Sequence, residues 1–163
     1  MLRLSKKTDY ALMAMKHLAL QSAASGASSA SGGAASAREI AEHYDIPIEL
    51  LAKILQRLAR RGLLTSHQGT RGGYSLAKPA TVISVADVIQ AVDGPLTVTA
   101  CSVHDQGCGQ YSKCNVRDPL WRIKDRILTS LAACSLDEIA TDVPMTSVGP
   151  ELQPVTLSRR ARE

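Results

Sequence analysis

The sequence contains no apolar run long enough to cross a lipid bilayer, which argues against a membrane protein. Its first residues lack the charged-then-apolar order of a secretory signal peptide, so we expect a cytoplasmic protein. No catalytic motif is present, because the spacing of serine, histidine and aspartate suggests no triad and the four histidines are scattered: His17, His43, His67 and His104. We therefore predict no enzyme activity and no small-molecule substrate.

Acidic residues are absent between Glu49 and Asp87. Six basic residues fall within the same interval: Lys53, Arg57, Arg60, Arg61, Arg71 and Lys78. Such a segment favours a polyanionic partner, and the alternative is an ordinary solvated charged surface.

The chain of 163 residues is long enough for one well-packed domain with an appendage. Apolar residues at helical spacing predict a first helix from Ser5 to about Gln21. Residues 22–35 are almost entirely alanine, serine and glycine, and we interpret them as a flexible insert within the domain.

Two short helices joined by a tight turn are predicted next. Ser36 and Glu39 have the spacing of a capping box, which starts a helix that ends near His43. Pro47 suits the start of a second helix, and Gly62 suits its end. The second helix has an apolar stripe on one face and long polar side chains on the other, which is typical of a helix-turn-helix.

A β-hairpin follows this pair of helices. Residues 63–67 and 74–76 favour strands, and the glycine-containing segment 68–73 favours the turn between them. The glycines do not precede the Lys-Ser/Thr pair of a phosphate-binding loop, so a nucleotide site is disfavoured. The hairpin is interpreted as the wing of a winged helix-turn-helix domain that covers residues 1–95, in a mainly α fold.

The second half of the chain begins with a capping box at Ser84 and Asp87, which predicts a helix to about Val92. Pro119 is predicted to open a longer helix whose apolar stripe suits pairing with a second chain, although the stripe could also pack on the first helix. Together with a short terminal helix, this region spans 119–140, and residues 141–163 are predicted to be a disordered tail.

Three of the four cysteines, Cys101, Cys108 and Cys114, lie in one polar loop within the segment 96–118. Clustered cysteines in a reducing compartment more often bind metal than form disulfides. Their spacing is wider than that of a typical zinc site and leaves room for an iron–sulfur cluster. The alternative is a disulfide or a set of idle thiols, and Cys134 is interpreted as structural.

The order of these features resembles a family of iron–sulfur-dependent winged-helix transcriptional regulators, described as IscR/NsrR-like. The resemblance covers about residues 1–140 and rests on LRLSKKTDYAL, GTRGGYSLAKPA, ISVADVIQAVDGP, the three-cysteine loop and PLWRIKDRI. The opening and the run from Cys114 to Ile123 are most similar to the branch that controls the Suf iron–sulfur assembly operon. The resemblance implies a cytoplasmic homodimer that represses transcription from a palindromic DNA operator.

The fourth ligand of the cluster is where this chain departs from part of that family. Isc-operon regulators carry a histidine three residues after the third cysteine, but the corresponding residue here is Arg117, which does not ligate metal. In members that sense nitric oxide, an aspartate of the partner subunit completes the cluster, and Asp9 occupies that position. His104 is the second candidate. The cluster type, 2Fe-2S or 4Fe-4S, is left open.

The predicted DNA contacts lie on the second helix of the helix-turn-helix and on the wing. Lys53, Arg57 and Arg71 are expected to bind phosphates, whereas Gln56 and Gln68 suit base edges because amides pair with adenine. The full predicted set is Lys53, Gln56, Arg57, Gln68, Thr70, Arg71 and Gly72. A regulator that responds to nitric oxide or redox signals, or one that uses thiols without a cluster, is the alternative.

Overall fold

A computed structural model describes residues 4–24, 33–69, 72–97 and 109–141. Six helices and one hairpin are present in this part of the chain. In chain order they are α1 Lys6–Ala24, α2 Ala37–His43, α3 Ile48–Arg60, β1 Leu64–His67, β2 Gly73–Leu76, α4 Val85–Asp93, α5 Arg117–Ala133 and α6 Leu136–Ala140. The mainly α winged-helix prediction is confirmed.

The helix starts that we predicted from capping boxes are observed. The Ser36 hydroxyl accepts a hydrogen bond from the Glu39 amide at 3.1 Å, and the Ser84 hydroxyl accepts one from the Asp87 amide at 3.1 Å. Ser135 caps α6 in the same way. These side chains satisfy amide donors that have no partner within the helix.

Two helix boundaries differ from the prediction. Helix α1 continues three residues beyond Gln21 to Ala24, since alanine favours a helix when nothing terminates it. Helix α5 begins at Arg117, two residues before Pro119. The missing amide of a proline costs little in the first turn of a helix, where amides lack intrahelical partners.

The insert predicted for residues 22–35 is ordered at both of its described ends. Residues 22–24 belong to α1, and Ala35 is 1% exposed and forms an antiparallel bridge with Tyr74 of β2. The Ala35 amide donates to the Tyr74 carbonyl at 3.0 Å, and the Tyr74 amide donates back at 2.8 Å. Ala35 therefore extends the wing hairpin on its outer side.

The core is almost entirely aliphatic and joins α1, α2, α3, α4 and α6. It leaves α5 outside, because none of the residues of that helix is buried within the single chain. The largest fully buried aliphatic side chains of the core are Met15, Leu18, Ile40, Leu51, Leu55, Leu58, Ile83 and Leu136. None of the described helices is long and apolar enough to cross a membrane.

Candidate functional site

Helix α3 presents its polar face to solvent, as predicted. Its other face buries Leu51, Ile54, Leu55 and Leu58, and the helix ends where Gly62 adopts a φ of +72°. The Leu63 amide donates to the Leu58 carbonyl and the Gly62 amide to the Ala59 carbonyl, at 3.1 and 3.0 Å. These bonds satisfy carbonyls at the end of α3 that would otherwise lack a partner within the helix. The exposed side chains include Glu49, Lys53, Gln56, Arg57 and Arg60.

One of these side chains has a structural partner that sequence reasoning did not anticipate. The Arg57 Nε donates a 2.9 Å hydrogen bond to the carbonyl of Ala91, near the end of α4. A cation is favoured at that end of a helix by the helix dipole. Arg57 thus fixes α3 against α4, and only its terminal nitrogens remain for the phosphate contact that we predicted.

The hairpin is antiparallel, with Leu64 opposite Leu76 and His67 opposite Gly73. The His67 Nε2 and the Ser75 hydroxyl lie 2.8 Å apart and join the two strands close to the turn. Gln68 is exposed at the end of the first strand, which suits its predicted contact with DNA. Thr70 and Arg71 lie outside the described residues.

The two glycines that open β2 are explained by close backbone approaches. A Cβ atom at Gly72 would lie 2.6 Å from the carbonyl oxygen of His67, and one at Gly73 would lie 2.5 Å from that of Ala35. Both distances are shorter than any normal contact, so the hairpin needs glycine at both positions. Gly72, which we predicted as part of the DNA contact, therefore has a conformational role in the turn.

Of the predicted cluster ligands, Cys114 and Asp9 fall within the described residues, whereas Cys101, His104 and Cys108 do not. Cys114 is a free, half-buried thiol immediately after the 3₁₀ turn Tyr111–Lys113. Asp9 is exposed in the first turn of α1. Within the described part of the chain, no three His, Cys, Asp or Glu side chains are grouped closely enough to hold a metal ion.

The start of α1 is fixed by an aspartate from a distant helix. Asp93 accepts three hydrogen bonds, from the Ser5 amide at 3.1 Å, the Ser5 hydroxyl at 2.6 Å and the Thr8 hydroxyl at 2.8 Å. Burial alone would raise the pKa of Asp93, but these bonds and the nearby Arg57 charge outweigh it and lower that pKa. Sequence reasoning did not find this contact, because Ser5 and Asp93 are 88 residues apart along the chain.

A small aromatic group lies where α1 meets the helix-turn-helix. The His17 ring lies 5.2 Å from that of His43 and 5.6 Å from that of Tyr44, measured between centroids. Burial lowers the pKa of His17, the neighbouring His43 lowers it further, and Glu39 opposes both effects. The neutral form of His17 is therefore favoured in the folded protein.

Comparison with known proteins places these features in one family. A family model described as an iron-dependent transcriptional regulator, Rrf2, matches residues 4–142. The regulator IscR of Photorhabdus laumondii is 34% identical over 148 residues, which cover 90% of this chain and 84% of that protein. An HTH-type transcriptional regulator of Mycobacterium tuberculosis is 41% identical over 108 residues. That match covers 66% of this chain but only 60% of the relative, less than two thirds of its length.

A solved structure supports the fold independently. CymR, the global cysteine regulator of B. subtilis, superposes with a TM-score of 0.66 at 24% identity. The match covers 88% of this chain and all of CymR. The arrangement of α1 to α6 around the wing is therefore that of a known class of winged-helix proteins.

Proposed function

This chain belongs to the Rrf2 family of transcriptional regulators, and from that premise we propose that it is a homodimeric DNA-binding repressor that senses an iron–sulfur cluster. It is a regulator and not an enzyme. One observation carries the proposal: a winged helix-turn-helix with a basic exposed face continues through α4 into the segment that bears Cys114. We expect the protein to act in the cytoplasm.

The described part of the cysteine segment suits a thiolate ligand. Cys114 is free and half-buried, and it lies three residues before Arg117, the first residue of α5. The thiolate is the form of cysteine that binds iron. Cys101 and Cys108 would complete the thiolate set, with Asp9 of a partner subunit or His104 as the fourth ligand.

A cluster bound at these thiols would supply the chemistry of sensing, because it could react with oxygen or nitric oxide and could lose iron. The residues of the chain would carry that signal toward DNA. Helix α4, which precedes the cysteine segment, is joined to α3 through the Arg57–Ala91 hydrogen bond and to α1 through Asp93. We propose that a change in the segment 96–118 reaches α3, the helix expected to face DNA, through α4 and these contacts.

The proposed dimer would form through α5. This helix packs on α4 but buries none of its residues within one chain, and Ile123 is 47% exposed. An apolar stripe on a helix that the chain leaves uncovered is typical of a subunit interface. The stripe consists of Leu120, Ile123, Ile127, Leu128 and Leu131.

We propose that the regulated genes are those of the Suf iron–sulfur assembly operon, repressed when cluster supply is sufficient. Two members of the same family give alternatives. A response to nitric oxide is favoured by an aspartate at position 9, and a cluster-free thiol regulator is compatible with the likeness to the cysteine regulator CymR. Oxidation of the thiols would then replace loss of a cluster as the signal.

Anaerobic purification followed by a gel-shift titration tests the proposal. We expect a coloured protein with bound iron and sulfide that loses affinity for the Suf promoter when a chelator removes the iron. A dimer with half-sites about one helical turn apart should protect two adjacent major grooves. A colourless anaerobic protein that binds the same promoter with equal affinity would instead support the cluster-free alternative.

Two substitutions should separate phosphate contacts from base reading. Arg71→Ala should weaken binding to all sequences and reduce the slope of log affinity against log salt by about 1. Gln56→Ala should cost about 1–3 kcal/mol at one base pair of each half-site and relax the choice of base there. Titrations at several salt concentrations on wild-type and altered sites measure both effects. An unchanged salt slope in Arg71→Ala would show that the wing tip does not contact phosphates.

A second pair of variants addresses the fourth ligand. Asp9→Ala should fold and dimerise, since its helix-dipole contribution is about 0.3–1 kcal/mol, but should lose cluster faster or change the visible spectrum. His104→Ala should leave cluster retention and spectrum unchanged. Mössbauer spectra of anaerobic protein would report both the cluster type and any change at the differently ligated iron. The reverse pattern would assign the role to His104.

A further inference from the structure

Arg117 makes several contacts that the proposed function does not use. It is the first residue of α5, and its side chain is only 23% exposed. Its Nε donates to the Asp118 carboxylate at 2.8 Å, and its Nη1 donates to the backbone carbonyl of Tyr111 at 3.3 Å. The same guanidinium lies 4.3 Å from the centroid of the Tyr111 ring and 5.6 Å from that of Trp121.

These contacts join two elements on either side of Cys114. The 3₁₀ turn Tyr111–Lys113 precedes the thiol, and α5 begins three residues after it. The turn is closed by a hydrogen bond from the Lys113 amide to the Gln110 carbonyl at 3.0 Å. The contacts from Arg117 add to this bond in holding one conformation of the turn.

A guanidinium is suited to this set of contacts. Its planar fork can donate to two acceptors while its flat faces lie against aromatic rings. A lysine at position 117 would keep the positive charge and its donors, but its ammonium group has no planar face to lie against the two rings. Charge and geometry at this position can therefore be separated by substitution.

We propose that Arg117 is a positioning residue for Cys114: it anchors the turn that precedes this thiol to the start of α5 and keeps a fixed positive charge three residues from it along the chain. The role of the charge rests on the proposed function, because it assumes that Cys114 binds the cluster. The anchoring does not, and it can be measured on protein without a cluster.

Hydrogen exchange of the cluster-free, full-length protein tests the anchoring. The Lys113 amide, whose hydrogen bond to the Gln110 carbonyl closes the turn, should exchange about 5–30-fold faster in both Arg117→Ala and Arg117→Lys, since a loss of about 1–2 kcal/mol in local stability has that effect. Arg122→Ala is the matched control, because Arg122 is exposed on the same helix, and should leave this exchange unchanged. Trp121 is the single tryptophan of the chain, and acrylamide should quench its fluorescence more strongly in both Arg117 variants than in wild type.

The reduction potential of the cluster-bound protein tests the charge. Arg117→Ala should shift the potential to more negative values, because a nearby positive charge favours the reduced cluster, whereas Arg117→Lys should retain the wild-type potential. The anchoring would be overturned if Arg117→Ala, or Arg117→Lys, exchanged at the wild-type rate. The role of the charge would be overturned if wild type and both variants had equal reduction potentials. A wild-type protein without iron and sulfide would instead contradict the proposed function, and the exchange result would be unaffected.

Discussion

Cys114→Ser is expected to remove essentially all iron and sulfide from anaerobically purified protein. Cys114 would provide one of only three thiolates, and a serine hydroxyl is a poor replacement because it is not ionised at neutral pH. We expect the visible charge-transfer absorption to disappear and operator affinity to fall at least about tenfold, which corresponds to about 1.4 kcal/mol. Iron and acid-labile sulfide assays, together with a gel-shift titration, measure these effects.

Cys134→Ser is the matched control for this experiment. Cys134 directly follows α5, its carbonyl accepts the Val85 amide at 3.0 Å, and its thiol is free and half-buried. Serine preserves the backbone contact, so we expect normal iron content and normal affinity. If Cys114→Ser retained iron, sulfide and colour at wild-type levels, the three-cysteine site would be wrong.

The secondary structure could be predicted where single residues act on their own neighbours. The serines at positions 36, 84 and 135 cap helices through amides three residues away, and Gly62 ends α3 through its own left-handed backbone conformation. These signals are local, so the sequence is sufficient to read them. The polar face of α3 follows from helical periodicity for the same reason.

Interactions between distant elements could not be predicted in this way. Arg57 had the character of a phosphate ligand, yet its Nε bonds to Ala91, 34 residues away. Arg117 was recognised as a departure from the histidine of related proteins, but its closeness to the Tyr111 and Trp121 rings depends on how the turn meets α5. Such contacts exist only after packing has brought the elements together, and spacing along the chain does not encode them.

The junction of α1 and α4 is the clearest case, and it connects the candidate ligand Asp9 to the rest of the domain. The Ser5 hydroxyl caps α1 by accepting from the Thr8 amide, and Asp93 of α4 accepts from the Ser5 amide. In an ordinary capping box, a glutamate of the same helix accepts that second hydrogen bond. Thr8 is 0% exposed, and its hydroxyl donates to the same carboxylate. The carboxylate therefore holds the first turn of α1 at the end of α4.

Asp93→Ala should lower the free energy of unfolding by about 2 kcal/mol, although Asp93 itself is exposed and solvent screening reduces the contribution of its charge. The loss arises because the substitution leaves the buried Thr8 hydroxyl and the Ser5 amide without their acceptor. Asp9→Ala is the control: Asp9 lies in the first turn of α1, which Asp93 contacts, and its loss should cost only about 0.3–1 kcal/mol, since Asp9 contributes through the helix dipole. Urea unfolding at pH 7 compares the two variants, and equal losses would show that the three hydrogen bonds contribute little.

The pH dependence of the same contribution follows from the lowered pKa of Asp93. Hydrogen bonds from Ser5 and Thr8 outweigh the opposing effect of burial, so in the folded protein the pKa lies below its ordinary value of 3.8. A carboxyl group with a depressed folded-state pKa stabilises the protein above the unfolded pKa, and this stability is lost as the pH falls through the folded value. The difference in unfolding free energy between wild type and Asp93→Asn should therefore be constant from pH 7 to about pH 5 and should shrink below about pH 4. A difference that persisted undiminished to pH 2 would show that the charge of Asp93 does not stabilise the junction of α1 and α4.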